Sequence, residues 1–432
     1  MQVIRYPEKS DWQEILARPA FETKSLERHV QNILNFVQKD GDEAVRHFTK
    51  TLDKVEIANF LATPEEFAEA EKNTSGDLKR AMKVAVENIG KFHAAQVEAR
   101  NVIETTKGVF CWRKSVPIER VGLYIPAGSA PLFSTVLMLG VPAKLAGCRE
   151  IVLCSPPNEA GKIADVILYA AQLLGISKVF KIGGVQAVGA MTFGTESVPK
   201  VYKIFGPGNQ FVTCAKQLVA QTGMAIDMPA GPSEVAILAD ETCVPAFVAA
   251  DLLAQAEHGI DSQVLLITTS EKVISETLTE LEKQLEVLPR KAIAGKALEN
   301  SKAILVKTEA EAIEITNEYA AEHLIIVVQN ADEISEQIIN AGSVFVGNYS
   351  CESAGDYASG TNHTLPTGGY AKAFSGVSLD SFVKKITFQK LTAEGIVNLG
   401  NTVEIMAEAE QLDAHKRAVS VRLEQLKGKL VP

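Results

Sequence analysis

The stretch AQAEHGIDSQ crowds Gln255, Glu257, His258 and Asp261 into the place where an apolar helical pattern meets a glycine. On a helix, Gln255 and His258 are three residues apart and share a face, so their donor atoms can converge on one point, and Gly259 is a natural terminator. Such a pair is half of a metal site. The same residues also describe an ordinary helix C-terminus, with an imidazole answering the helix dipole and a glutamine facing water, and taken alone they favour that reading. Two ligands do not suffice, since a catalytic zinc takes at least three protein ligands.

The distribution of histidine shifts the balance. His29, His47 and His93 lie in ordinary helical sequence, whereas His258, His323, His363 and His415 sit in the polar clusters AQAEHG, AAEHL, GDYASGTNH and LDAHK. The segment SAGDYASGTNHTLPTGG makes a loop that no hydrophobic core requires, and loops carrying an acid and a histidine are where binding groups concentrate. A plain surface turn is the alternative. Glu322 and His323 stand side by side, types suited to acid–base work, with His titrating near neutrality. On spacing alone they read as residues at the junction of helix NEYAA with strand LIIVV, and a ligand site before a strand runs against the preference for strand carboxyl ends. In VYKIFGPGNQFVTCAKQL the turn Gly206-Pro207-Gly208-Asn209 joins a strand to a helix, where backbone N–H groups could meet a phosphate or a ribose. A tight structural turn explains it as well, and no GxGxxG fingerprint occurs.

These groups are far apart in the chain, so tertiary structure must gather them. Residues 10–100 read as helices, with SLERHVQNILNFVQ and DLKRAMKVAVENIGKFHAAQV repeating apolar residues at three- and four-residue spacing. After Pro117, the β-rich runs VGLYI, EIVLC, KVFKIG, KVYKIF and EVAILA alternate with helical segments, the pattern of a parallel sheet with crossover helices. A second series, QVLLITT, AILVK, HLIIVV and SVFVG, predicts a second unit of the same kind. The last 50 residues lose the strand signal, and VEIMAEAEQLDAHKRAVSVRLEQLKG reads as one long amphipathic helix, an arm suited to a partner.

Composition removes other classes. The 432 residues, 46% of them hydrophobic, suffice for two or three cores. The net charge of -10 and the lack of a sustained basic run argue against nucleic acid and for a small-molecule substrate. The longest apolar run is interrupted by Pro142 and Lys144, short of a membrane span, and the N-terminus does not look like a signal peptide. Six cysteines without a CxxC pair suit reduced thiols and a cytoplasmic location.

Taken in order, GLYIPAGSAPLFSTVLML, KIFGPGNQFVT, MPAGPSE, LLAQAEHGIDSQ, EHLII, SAGDYASGTNHTLPT and LDAHK resemble the histidinol dehydrogenase family over nearly the whole chain from about residue 20. That resemblance implies oxidation of L-histidinol to L-histidinal and on to L-histidine, the last two steps of histidine biosynthesis, with two NAD+ and one zinc ion. It implies zinc ligands Gln255, His258, Asp356 and His415, with His323 as base and Glu322 activating the water that hydrates the aldehyde. Ser233, His363 and Glu410 would bind substrate together with the zinc ligands and His323, and Tyr124, Gln186 and Asn209 would contact NAD. A substrate offering an imidazole and an amino group can chelate such a zinc.

The implied fold class is α/β: two Rossmann-like parallel-sheet units, a helical N-terminal region and a helical C-terminal arm swapped in a homodimer, with His415 and Glu410 supplied in trans. The expected division is a helical segment over 1–24, a discontinuous first α/β domain over 25–122 and 235–377, a second on the NAD side over 123–234, and the arm over 378–432. Three readings compete. A zinc hydrolase would use Glu322 as base and need no NAD. A thiol-dependent aldehyde dehydrogenase would act through Cys111 or Cys154, both in apolar or strand-like surroundings. A non-catalytic nucleotide-binding module would leave the four motif histidines without purpose.

Overall fold

The computed structural model describes the chain apart from residues 20–22, 128–129, 230 and 430–432. The end of the 1–24 segment, parts of the GLYIPAGSAPLF and MPAGPSE motifs and the tip of the arm lie outside the described residues. Two compact units form, one from Met1–Gln96 and Ile118–Phe382, the other from Val97–Pro117 and Val383–Pro432. In chain order the strands are β1 (Gln2–Arg5), β2 (Val102–Thr106), β3 (Val109–Pro117), β4 (Arg120–Tyr124), β5 (Glu150–Ser155), β6 (Lys178–Lys181), β7 (Lys203–Phe205), β8 (Ala225–Ile226), β9 (Glu234–Ala239), β10 (Gln263–Thr268), β11 (Lys302–Leu305), β12 (His323–Val327), β13 (Ser343–Val346) and β14 (Val383–Leu391).

The first unit holds a six-stranded parallel sheet, β1-β11-β10-β9-β12-β13, and a five-stranded parallel sheet, β6-β5-β4-β7-β8. Every residue of β9 and β10 is buried, as expected where crossover helices cover both faces and the strand must be apolar throughout. The helix Pro245–Ala256 joins them. Proline in its first turn pre-sets the backbone, and Val248, Leu252 and Leu253 are buried, each contributing roughly 1.5–3 kcal/mol of transfer free energy. Because a crossover helix returns from the end of one strand to the start of the next, its C-terminus is delivered to the amino edge of the sheet. In the five-stranded sheet the chain runs outward from β4 through β5 to β6, then returns to β7 on the other side of β4, so the carboxyl ends of β4 and β7 flank a switch-point crevice. The helix Phe133–Ala146 is buried almost all round and contains Pro142. Among the described residues no helix is long and apolar enough to cross a membrane.

Four expectations change. EVAILA, which reads in series with the strands before it, is β9 and belongs to the six-stranded sheet. The N-terminus begins with a strand, β1, docked in parallel on β11, before the helix Thr23–Leu52 and those at Pro64–Asn73 and Gly76–Ala94. The last 50 residues do contain a strand: β14 pairs antiparallel with β3 along all nine residues, and β3 pairs with β2, forming the sheet of the second unit. Its sequence VKKITFQKL is largely exposed, so lysines dilute the alternation of Ile386 and Phe388, and what makes it a strand is a partner far away in sequence. Trp112 and Phe388 stack across that pair with ring centroids 5.4 Å apart. The long terminal helix is two helices, Ala393–Ala409 and Asp413–Lys429. Gln411 turns left-handed at φ 59°, and the N–H of Leu412 reaches back to the carbonyl of Ala407 at 2.8 Å, closing the first helix as a Schellman-type cap does.

Candidate functional site

At the amino edge of the six-stranded sheet, Gln255 ends its helix fully buried. Its Nε2 donates to Glu322 Oε2 at 3.3 Å, while its Oε1 has no hydrogen-bond partner. One turn on, the backbone N–H of His258 binds the Gln255 carbonyl at 3.2 Å, and the imidazole is accessible from the adjoining cleft. The short helix Glu352–Tyr357 places Glu352 and Asp356 four residues apart, and the ligand atoms of His258, Glu352 and Asp356 all lie within 4.8 Å of one another. Glu352 Oε2 is, like Gln255 Oε1, a buried acceptor without a donor, and Asp356 Oδ1 has only His323 Nε2, at 3.3 Å, within reach. Each unpartnered acceptor costs about 1–3 kcal/mol, and the Glu352 and Asp356 carboxylates converging with His258 leave acceptor capacity that a cation would answer. Carboxylate, amide oxygen and imidazole form a donor set that fits zinc. Sequence reading missed Glu352; its spacing from Asp356 in CESAGDY was visible, but an acid in the first turn of a helix ordinarily faces water.

Glu322 precedes β12 and His323 begins it, both buried. The Glu322 carboxylate accepts the backbone N–H of Glu234 at 3.0 Å as well as the Gln255 amide, and burial pushes its carboxyl up to about 8 against the opposing pull of His323. His323 Nδ1 lies 3.7 Å from Glu322 Oε2 and Nε2 lies 3.3 Å from Asp356 Oδ1, with the ring stacked on Phe345. Burial disfavours its charged form, but Glu352, Glu322 and Asp356 together outweigh this and carry the imidazole up to about 10. A divalent cation on the carboxylates would cancel that field and return His323 towards the range of a working base.

The support for this wall reaches back to the N-terminus. Buried Glu234 accepts from Arg18 Nε at 2.5 Å and Nη2 at 2.9 Å; Arg18 also donates to the Tyr319 carbonyl at 2.6 Å and lies over the Tyr319 ring. Arg18 carried no sequence signal. His363 is brought beside Asp356, its Nδ1 donating to the Asp356 carbonyl at 2.9 Å. With Nδ1 as donor and burial lowering its pKa, the ring is neutral, so Nε2 accepts the Thr135 hydroxyl at 3.1 Å. A substrate contact at Nε2 would displace Thr135.

Facing this wall across a cleft of about 480 Å³ are the carboxyl-end loops of the five-stranded sheet; Tyr124, Asn209, Ser233 and His258 all line it. Asn209 caps the helix Gln210–Ala220, its Oδ1 accepting from Phe211 N at 3.1 Å and Val212 N at 3.2 Å, so its amide N–H groups are what it can offer a ligand. The turn before it is clamped: Lys216 pairs with Asp227, Lys216 Nζ donates to the Gly206 carbonyl at 2.8 Å, and Asp227 Oδ2 accepts the Gly206 N–H at 2.8 Å. Gly206 has φ 125°, and an added Cβ would stand 2.1 Å from the Tyr124 carbonyl, so only glycine fits. The Tyr124 hydroxyl accepts the Gly184 N–H at 3.1 Å, and burial raises the phenol to about 12, leaving its proton free to donate. Gln186 lies behind this wall, fully buried, with Nε2 bonded to Asp53 Oδ2 at 2.9 Å and Oε1 unpartnered. An open cleft rimmed by amide, phenol and backbone donors fits a dinucleotide.

Glu410 and His415 lie in the second unit, both exposed: Glu410 caps the helix Ala393–Ala409 and His415 sits in the first turn of Asp413–Lys429. Cys154 is buried in the middle of β5 with its thiol pushed far up by burial, and Cys111 lies on β3 of the second unit, neither in the gathered site.

Known proteins resemble this chain over nearly its whole length. A family model described as histidinol dehydrogenase matches residues 16–423. The histidinol dehydrogenase of Bacteroides thetaiotaomicron is 60% identical over 427 residues, covering 99% of this chain and 100% of its relative. That of Escherichia coli is 52% identical over 417 residues, covering 96% and 95%. The crystal structure of histidinol dehydrogenase from Elizabethkingia anophelis superposes with a TM-score of 0.97 at 55% identity, covering 99% of each chain.

Proposed function

The chain belongs to the histidinol dehydrogenase family of oxidoreductases in histidine biosynthesis, and on that premise we propose that it performs the full four-electron oxidation of L-histidinol to L-histidine through L-histidinal, using zinc and NAD. The observation that carries this reading is the convergence of the ligand atoms of His258, Glu352 and Asp356 within 4.8 Å, with unpartnered buried oxygens on Gln255 and Glu352, one residue contact away from Glu322 and His323. Gln255, His258 and Asp356, with His415, would hold zinc, which when bound fixes the substrate by its imidazole and amino nitrogens; NAD takes up the hydride of each oxidation.

His323 receives the proton of the substrate hydroxyl in the first oxidation, and Asp356 and Glu322 on either side orient its ring. Glu322, held by the Glu234 N–H and the Gln255 amide, takes a proton from the water that adds to the aldehyde, giving the hydrate that His323 deprotonates in the second oxidation. Ser233, His363 and Glu410 contact the substrate, and Tyr124, Gln186 and Asn209 form the cofactor side. Keeping the amino-aldehyde in one closed site prevents side reactions.

The enzyme acts as a homodimer in which the second unit of each chain lends Glu410 and His415 to its partner. What supports this is the second unit's own surface: Val397, Ile405, Met406 and Leu412, around Glu410, are all large apolar residues left exposed. Six unpaired cysteines support a cytoplasmic location. The deciding measurement is NADH formed per histidinol consumed, with and without a chelator. Two NADH, abolished by chelation and restored by zinc, is the expected result; one NADH with aldehyde accumulating would refute the two-step assignment.

A further inference from the structure

The cofactor side of the cleft contains an acid that the proposed chemistry does not use. Asp53 follows the last residue of the helix Thr23–Leu52, and Lys54 then turns left-handed at φ 62°, with its ammonium folded back on the Thr51 carbonyl at 2.7 Å. The helix end therefore projects Asp53, not Lys54, into the cleft, where it lines the same wall as Tyr124, Pro156 and Gly184. One carboxylate oxygen, Oδ2, is fixed by the Gln186 amide at 2.9 Å. Gln186 can lie there because Gly184 has no side chain: a Cβ at that position would stand 3.0 Å from Gln186 Oε1. The half-buried carboxylate is thus held in one orientation by a fully buried amide, at a site where its own burial disfavours charge. A chain does not ordinarily retain an acid in a cleft wall against its desolvation unless something there needs an acceptor.

Resting on the reading that this cleft takes NAD, we propose that Asp53 is a specificity-determining residue that accepts a hydroxyl of the adenosine ribose through Oδ1 and thereby selects NAD+ over NADP+. The reacting end of the dinucleotide has to meet the substrate at the His258 wall, which leaves the adenosine half to the wall that carries Asp53 and Tyr124. Dinucleotide-binding folds with a GxGxxG turn use an acidic residue about 20 positions further on to read the ribose 2′-hydroxyl, and the same carboxylate repels a 2′-phosphate. This chain lacks that fingerprint and obtains the acid from the end of its N-terminal helix instead.

The test is titration calorimetry of NAD+ and NADP+ on the zinc-loaded enzyme, for the wild type, Asp53→Asn, Asp53→Ala and Gln186→Ala, with zinc content, histidinol binding and thermal melting measured alongside. A charge-assisted hydrogen bond is worth roughly ten- to a hundredfold in affinity, so Asp53→Ala should weaken NAD+ by about that factor while zinc and histidinol binding stay unchanged. Asp53→Asn keeps an acceptor and should retain part of the NAD+ affinity, yet lose at least about tenfold of its preference over NADP+, because only the repulsion is removed. Wild-type affinities for both nucleotides in Asp53→Ala, with NAD+ weakened by Gln186→Ala, would overturn the role of Asp53 and leave the cleft assignment standing. NAD+ binding untouched by every one of these substitutions would overturn both.

Discussion

At the amino edge of the six-stranded sheet the chain buries Glu322, Glu352 and His323 almost out of reach of water, with Asp356 partly buried beside them, whereas towards the carboxyl edge of the five-stranded sheet the cleft is lined mostly with glycine and neutral side chains, with the acids Asp53 and Asp261 among them. The first wall is electrostatically expensive and incomplete in itself: buried oxygens of Gln255 and Glu352 lack donors, and the fields of the carboxylates lift His323 out of its working range. The second wall carries fewer charges, although Gln186 Oε1 behind it is also unpartnered. A buried ion pair, Lys216 with Asp227, is turned inward to hold the Gly206 turn. A site that handles a metal and protons needs charges whose cost is offset only when the partner binds; a site that cradles a cofactor needs shape and hydrogen-bond donors that stay put.

That contrast can be broken most severely at the metal wall. Asp356→Asn removes the anionic member of the proposed zinc ligands and should lower activity by about a thousandfold or more while zinc falls below one per chain, read by metal analysis alongside NADH formation; full zinc with full activity would end the comparison. Next is the support of that wall. Arg18→Leu leaves buried Glu234 without its partner and should destabilise the fold by about 3 kcal/mol, seen as an earlier thermal transition.

Within the wall, Glu322→Gln should slow oxidation of supplied histidinal by at least about tenfold more than oxidation of histidinol to the aldehyde, whereas His323→Asn should slow both. Equal losses in Glu322→Gln with the fold intact would show that the two residues do not divide the work. On the cofactor wall, Gly206→Ala forces a Cβ against the Tyr124 carbonyl and should raise KM for NAD by roughly tenfold, with a strain of about 1–3 kcal/mol in the melt and little change in zinc content. A loss of zinc instead would mean the walls are not independent.

The smallest effect tests the second unit. His258→Asn and His415→Asn, each inactive, are unfolded and refolded together in equal amounts. Random pairing makes half the dimers mixed, and if His415 acts in trans about a quarter of all sites regain activity. Parental activity after demonstrated subunit exchange would show that each arm serves its own chain.

The central strands of both parallel sheets were legible because burial on two faces writes itself into the sequence as continuous apolar runs such as EVAILA and VLLIT, whereas the edge strands β1 and β8 were not. The exposed strand β14 was not, since half its residues answer to solvent and its pairing partner lies hundreds of positions earlier. The break at Gln411 was hidden for a related reason: a left-handed cap on glutamine has no residue-type signature. Among site residues, the loop carrying Asp356 and His363 drew notice as a polar segment no core requires, while Gln255 and His258 taken alone read as an ordinary helix end. Glu352, Arg18 and Asp53 drew no notice, because an acid near a helix end and an arginine near the N-terminus are ordinary surface residues until something buries them.

The sequence alone therefore determined the central parallel strands and their crossover helices, because these follow from local periodicity, while residue type left Gln255, His258, Glu322 and His323 open between a site and ordinary element ends until family resemblance singled them out. Only the tertiary structure decided that His323 meets Asp356 and Glu322, that Gln255 bonds Glu322, and that Asp53 meets Gln186. Those relations join residues up to 133 positions apart, and their energies depend on burial, a property that no residue carries by itself and that only the packed chain confers.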